Sequence, residues 1–177
     1  MNIQRENLVN VIQGDYVISE DSDAILTTVL GSCIAVCLYD TVRGIGGTNH
    51  FLLPNREGEG GDNVRYGAYA MELLINGLLK KGAERSRLEA KFFGGGNMIG
   101  NMRNIGGSNA EFAKQFLADE GIVCRAESTG GTQARRIRFW PTTGNVKQLL
   151  VASDAVQDNP PKPIDRPKRT TQDITLF

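Results

Sequence analysis

The chain reads as a mixed α/β protein of the α+β kind: a mixed-sheet α/β sandwich with two main helices. Three observations predict this. Several short runs are rich in β-branched and aromatic residues, which suit a pleated, half-buried surface. Two longer segments repeat apolar residues at helical spacing. Strands and helices do not strictly alternate, the pattern of an α+β or mixed sandwich.

Each element follows in order. Residues 3–18 form a short strand and turn, with Val9, Val11, Tyr16 and Ile18 as apolar points. Residues 24–39 read as two strands, AILTTVL and CIAVCLYD, around a Gly-Ser break. A turn at 41–44 leads into GIGGTNHFLLP, a strand ending at Pro54. Residues 55–63 are a polar, glycine-rich loop bordering the candidate site. Val64, Ala68, Met71, Leu74, Ile75, Leu78 and Leu79 predict a helix over 64–81, capped by Asp62 or Asn63 and closed by Gly82. Residues 88–93 are a strand, and GGGNMIGNMRNIGG is a long glycine- and asparagine-rich loop. Ser108 opens a second helix, with Glu111 at the capping-box spacing, Phe112, Phe116 and Leu117 on its apolar side, and Gly121 at its end. Residues 122–127 form a strand, STGGTQ a turn, and RIRFW with VKQLLV a hairpin around 141–145.

Composition divides the chain into a domain over 1–152 and a C-terminal extension over 153–177. Four of the six prolines lie in the last 26 residues, and apolar residues are sparse there until Ile174, Leu176 and Phe177. The extension reads as mobile, with an apolar tip able to dock on this protein or on a partner. Lys and Arg total 20, as do Asp and Glu, so a whole-domain basic footprint for nucleic acid is absent. The longest uncharged run, 24–39, has 16 residues, short of the about 20 that a spanning helix needs. The charged N-terminus does not read as a signal peptide, and a cytoplasmic location is expected. Three cysteines give no disulfide framework.

His50 is the sole histidine, so histidine chemistry must use it. A turn centred near residues 42–43 pairs positions that sum to 85. Cys33 then faces Leu52, Ala35 faces His50, and Cys33 and His50 share a sheet face as diagonal neighbours roughly 7–8 Å apart. Cysteine hydrolases need a nucleophile in reach of such a base. The Gly31-Ser32 turn before Cys33 offers backbone N–H groups to a tetrahedral oxyanion. The competing readings are a buried strand cysteine and a structural histidine. A zinc site from Cys33, Cys37, His50 and Cys124 lacks paired CxxC spacing, and Cys37 and Cys124 are most simply core residues. The glycine run at 94–100 fails the nucleotide-binding patterns and reads as a turn or a site wall. Glu57, Glu59, Asp119 and Glu120 read as solvated.

TTVLGSCIAVCLYD followed by GGTNHFLLP resembles the CheD family, chemoreceptor glutamine deamidases of bacterial chemotaxis. KFFGGGNM, NIGGSNAEF and ESTGGTQARRI match the family's later segments in order, so the resemblance covers roughly 8–150. It implies an α/β sandwich similar to bacterial toxin deamidases, and a Cys–His–Thr triad. The cysteine after Gly-Ser maps to Cys33, the histidine before the hydrophobic-Leu-Pro segment to His50, and the threonine six residues before the cysteine to Thr27, with Thr28 adjacent. In the implied chemistry His50 lowers the effective pKa of Cys33, Thr27 holds the imidazole, and N–H groups near Gly31, Ser32 and Cys33 bind the oxyanion. Receptor glutamine becomes glutamate with release of ammonia through a thioester, without metal or organic cofactor. Hydrolysis of glutamyl methyl esters is an allied activity. The implied partners are the cytoplasmic helices of chemoreceptors and a CheC-type phosphatase; an adaptor for such a phosphatase, with little catalysis, is the alternative.

Overall fold

The computed structural model describes residues 6–53, 60–98, 105–152 and 174–177, and of 60–63 the helical backbone alone. The described strands are β1 (Asn7–Asn10), β2 (Tyr16–Ser19), β3 (Ala24–Leu30), β4 (Ile34–Asp40), β5 (Ile45–Asn49), β6 (Glu89–Gly94), β7 (Val123–Thr129), β8 (Ala134–Phe139), β9 (Val146–Val151) and β10 (Ile174–Leu176). The helices are α1 (Gly60–Lys80) and α2 (Ile105–Asp119). They form two five-stranded sheets, ordered β1-β3-β8-β9-β10 and β2-β5-β4-β6-β7. The β1–β3 and β6–β7 pairs are parallel, and the others are antiparallel.

Period-two alternation sets the layers. In β4, Ile34, Val36 and Leu38 face α1 and α2, packing with Met71, Leu74, Leu78 and Leu117. The intervening Ala35, Cys37 and Tyr39 face the other sheet, packing with Leu26, Leu30, Ile137, Phe139 and Val146. A strand buried on both faces reads as a continuous apolar run, as IAVCLYD does. The result is three layers: helices, second sheet, first sheet. The β4–β5 register pairs Cys37 with Thr48 and Asp40 with Ile45, and a bridge joins Ile34 to Phe51. All sum to 85, as the sequence predicts.

Two boundaries differ from expectation. The first helix begins at Gly60, so Asp62 and Asn63 lie within it rather than capping it; residues 55–59 of the expected loop fall outside the described residues. The second helix begins at Ile105, placing Ser108 and Glu111 inside it. A tertiary contact accounts for the earlier start: a Cβ at Gly106 would lie 2.4 Å from the carbonyl oxygens of both Gly95 and Gly96, so this first turn packs backbone to backbone. The C-terminal tip docks on this protein, one of the two outcomes expected of it. Ile174–Leu176 pair with β9, Phe177 exchanges both backbone hydrogen bonds with Val146, and its ring meets Phe93 edge-on at 5.3 Å. Residues 153–173 lie outside the described residues.

Candidate active site

The chain passes from the first sheet to the second twice near one end of the sandwich. Residues 11–15 connect β1 to β2, and residues 31–33 connect β3 to β4. Both crossings flank the segment after β5. Gly14 N–H donates to the His50 carbonyl at 2.7 Å, His50 N–H to the Asp15 carbonyl at 3.1 Å, and Phe51 and Ile34 exchange backbone bonds. The Gly-Ser break thus marks a change of sheet, and Cys33 sits on it.

The Cys33 crossing is held by three consecutive carbonyls. Gly96 N–H donates to Gly31 O at 2.8 Å, Asn109 Nδ2 to Ser32 O at 2.8 Å, and Gly95 N–H to Cys33 O at 2.9 Å. Glycine is required at 94: its φ is +118°, and a Cβ there would lie 2.0 Å from the Cys33 carbonyl oxygen. The glycine-rich run is therefore a wall of the site, with its amides at 95 and 96 bonded to the cysteine turn. A second tier supports it. Gly130 N–H donates to Gly94 O, Asn97 N–H donates to Gly131 O, and buried Arg135 donates to the carbonyls of Ser128 and Gly130. Asn109 ties the two strands of the site, because its Oδ1 accepts from Leu53 N–H at 3.0 Å.

His50 reaches across to the first sheet. Its Nδ1 lies 2.9 Å from Thr28 Oγ1 and 3.2 Å from the Val11 carbonyl, and Thr28 Oγ1 donates to that same carbonyl at 2.9 Å. With the single hydroxyl proton given to Val11 O, Nδ1 faces two acceptors and must carry the ring proton. Nε2 is then the unprotonated nitrogen; it is buried and has no hydrogen-bond partner among the described residues. Cys33 packs against the inter-sheet core that holds Val11, so thiol and imidazole share the inner face of the second sheet. Thr27 does not touch the imidazole: its hydroxyl donates to the Ile137 carbonyl at 2.8 Å. Leu26, Thr28 and Leu30 face the core, so Thr27 faces the opposite side of the strand.

Burial works against the expected depression of the thiol pKa. Desolvation pushes the Cys33 thiol up to about 11, with its own backbone N–H opposing. Desolvation holds His50 below its ordinary value, and the hydrogen bond to Val11 works against that. Both shifts favour the uncharged forms of thiol and imidazole. The thiol donates to Gln13 Oε1 at 3.4 Å.

The other predicted residues are dispersed. Cys37 is buried, with Sγ 3.6 Å from Thr48 Oγ1. Cys124, expected in the core, is exposed on β7, because this strand borders the second sheet. Among the described residues no group of His, Cys, Asp and Glu converges as a metal site. Asp119 accepts from Gln115, Glu120 pairs with Arg85, and Glu57 and Glu59 lie outside the described residues. Sequence reading missed Gln13, Val11 and Asn109. For Asn109 a signal existed: it lines up with the buried Ala113 and Leu117 at four-residue steps, a polar residue inside an apolar helical stripe. For Gln13 and the Val11 carbonyl no local pattern exists.

Fold and site together define a class: a two-sheet sandwich covered by helices, with a cysteine and the sole histidine on the inner face of one sheet. The family model for CheD chemotactic sensory transduction matches residues 52–149. A Caulobacter sp. (strain K31) protein named "Probable chemoreceptor glutamine deamidase CheD" is 56% identical over 173 residues, 96% of this chain and 92% of its own. Proteins of the same name from Caulobacter vibrioides (strain NA1000 / CB15N) and Agrobacterium fabrum (strain C58 / ATCC 33970) are 52% and 50% identical, covering 98% and 96% of this chain and 95% and 96% of their own. Among solved structures, Bacillus licheniformis hypothetical protein YfiH overlaps 71% of this chain and 60% of its own at a TM-score of 0.45 and 13% identity. This chain belongs to the CheD family. Among the described residues no helix is long and apolar enough to cross a membrane.

Proposed function

We propose that this chain is a chemoreceptor glutamine deamidase, hydrolysing the side-chain amide of glutamine on the cytoplasmic helices of its receptors. The name carried by its relatives supports the substrate class. Cys33 is the nucleophile and His50 the proton carrier. Thr28, in place of Thr27, fixes the imidazole together with the Val11 carbonyl. The observation that carries the mechanism is the Nδ1–H tautomer, which leaves Nε2 as a buried acceptor on the inner face that also bears Cys33.

The Cys33 thiol gives its proton to Nε2 as sulfur bonds to the amide carbon, and the carbonyl oxygen takes the electron pair. Backbone N–H groups of the Gly31–Ser32–Cys33 turn stabilise this oxyanion, and the three anchored carbonyls keep the turn from rotating. The imidazolium returns the proton to nitrogen, the carbon–nitrogen bond breaks, and ammonia leaves a thioester. Water, deprotonated by Nε2, then attacks the thioester; the thiol departs with the proton and glutamate is released. Glutamyl methyl esters are open to the same attack, with methanol leaving instead.

The test is ammonia release from a receptor cytoplasmic fragment, with the fragment's mass increasing by about 1 Da per converted glutamine. Cys33→Ala is expected to abolish both signals. Release by Cys33→Ala at the wild-type rate would remove Cys33 from the reaction.

A further inference from the structure

The crossing at residues 11–15 is fixed to the site through its backbone. Val11 N–H donates to Thr27 O, Val11 O accepts from Thr28 and lies beside the imidazole, and Gly14 and Asp15 bond to the His50 backbone. Gln13 lies at the apex of this turn. Its side chain is exposed, and its carboxamide oxygen accepts the Cys33 thiol proton. A thiol has one proton. While that proton is directed at Gln13, it is not offered to His50, whose Nε2 is buried and unpartnered among the described residues. The chain's own carboxamide thus stands against the atom proposed to attack a glutamine carboxamide.

We propose that the Gln13 carboxamide is a resident occupant of the subsite that takes the substrate's glutamine carboxamide, and that substrate must displace it before Cys33 can pass its proton to His50. The proposal rests on the deamidase reading above. Three physical points support it. The two groups are chemically the same, so an incoming glutamine can replace the bond it breaks. Gln13 is an exposed, flexible arm on a rigid turn, so moving it disturbs little else. The product's carboxylate, by contrast, would bring negative charge to a sulfur with no cation bonded to it, favouring product exit and the return of Gln13.

The experiment alkylates the full chain with iodoacetamide at pH 8 and follows Cys33 and Cys124 separately by peptide mass mapping. Exposed Cys124 is the internal reference. Gln13→Ala frees the thiol and uncovers the sulfur, and about a fivefold faster modification of Cys33 is expected, with Cys124 unchanged. Gln13→Glu places a carboxylate against the sulfur, and slower modification than wild type is expected. The order Ala, wild type, Glu supports the proposal, and any other order overturns it. If that order holds but wild-type protein releases no ammonia from a receptor fragment, the deamidase reading falls and takes the substrate subsite with it, leaving only the Gln13–Cys33 contact. If ammonia is released and the order fails, the occupancy alone falls.

Discussion

Replacing Thr28 with valine removes one oxygen from the interior and little else. That hydroxyl is almost wholly buried and makes two contacts of 2.9 Å, donating to the Val11 carbonyl and accepting from His50 Nδ1. At about 1 kcal/mol net for each hydrogen bond, Thr28→Val is expected to cost about 2 kcal/mol of stability. The tautomer survives, because the Val11 carbonyl still lies 3.2 Å from Nδ1, but the ring loses one of its two anchors. A loss of about 1 kcal/mol in orientation lowers kcat roughly fivefold. Thr27→Val is the control: it removes only the 2.8 Å bond to the Ile137 carbonyl, costs about 1 kcal/mol of stability and leaves kcat unchanged. Ammonia-release kinetics and denaturant titration on both variants separate the two effects. Because His50 is the sole histidine, its ring 15N spectrum contains one imidazole and reports the protonated nitrogen directly. Thr27→Val lowering kcat as much as Thr28→Val, or a ring protonated at Nε2, would refute the assignment of Thr28.

Three further outcomes are expected. Desolvation places the His50 pKa below its ordinary value of 6.5, and the neutral ring is the active form, so kcat/KM rises with pH along an acid limb centred below 6.5 and is level above it; a limb centred at or above pH 7 in the pH–rate profile contradicts this. Asn109→Ala leaves the Ser32 carbonyl and the Leu53 amide without their buried partner and is expected to cost about 2–4 kcal/mol, together with slower turnover; an unchanged denaturation midpoint would show that the tie is unimportant. Deleting residues 174–177 removes the β10 pairing and the Phe177 ring from Phe93, lowering stability by about 1–2 kcal/mol, and a midpoint equal to that of the full chain would mean that the tip is not docked in solution.

Much of this architecture was legible in local pattern. The run IAVCLYD is apolar on both of its faces because helices cover one side of β4 and a sheet covers the other. The turn after Asp40 fixed the sum-of-85 register, and that register put Cys33 and His50 on one face. Helix starts were less legible: the capping signal at Ser108 competes with backbone packing at Gly106 that no local propensity encodes.

The sequence by itself determined the element types and the β4–β5 register, because each depends on residues near one another in the chain and on periods of 2 and 3.6. Tertiary structure alone decided which threonine meets His50, since one residue along a strand reverses the face and only the position of the opposing sheet says which face is inside. It alone brought the Val11 carbonyl, Gln13 and Asn109 to the site, from 39 residues before His50 to 59 after it. Contacts across such separations come from how sheets and helices stack, and no short window of sequence contains them.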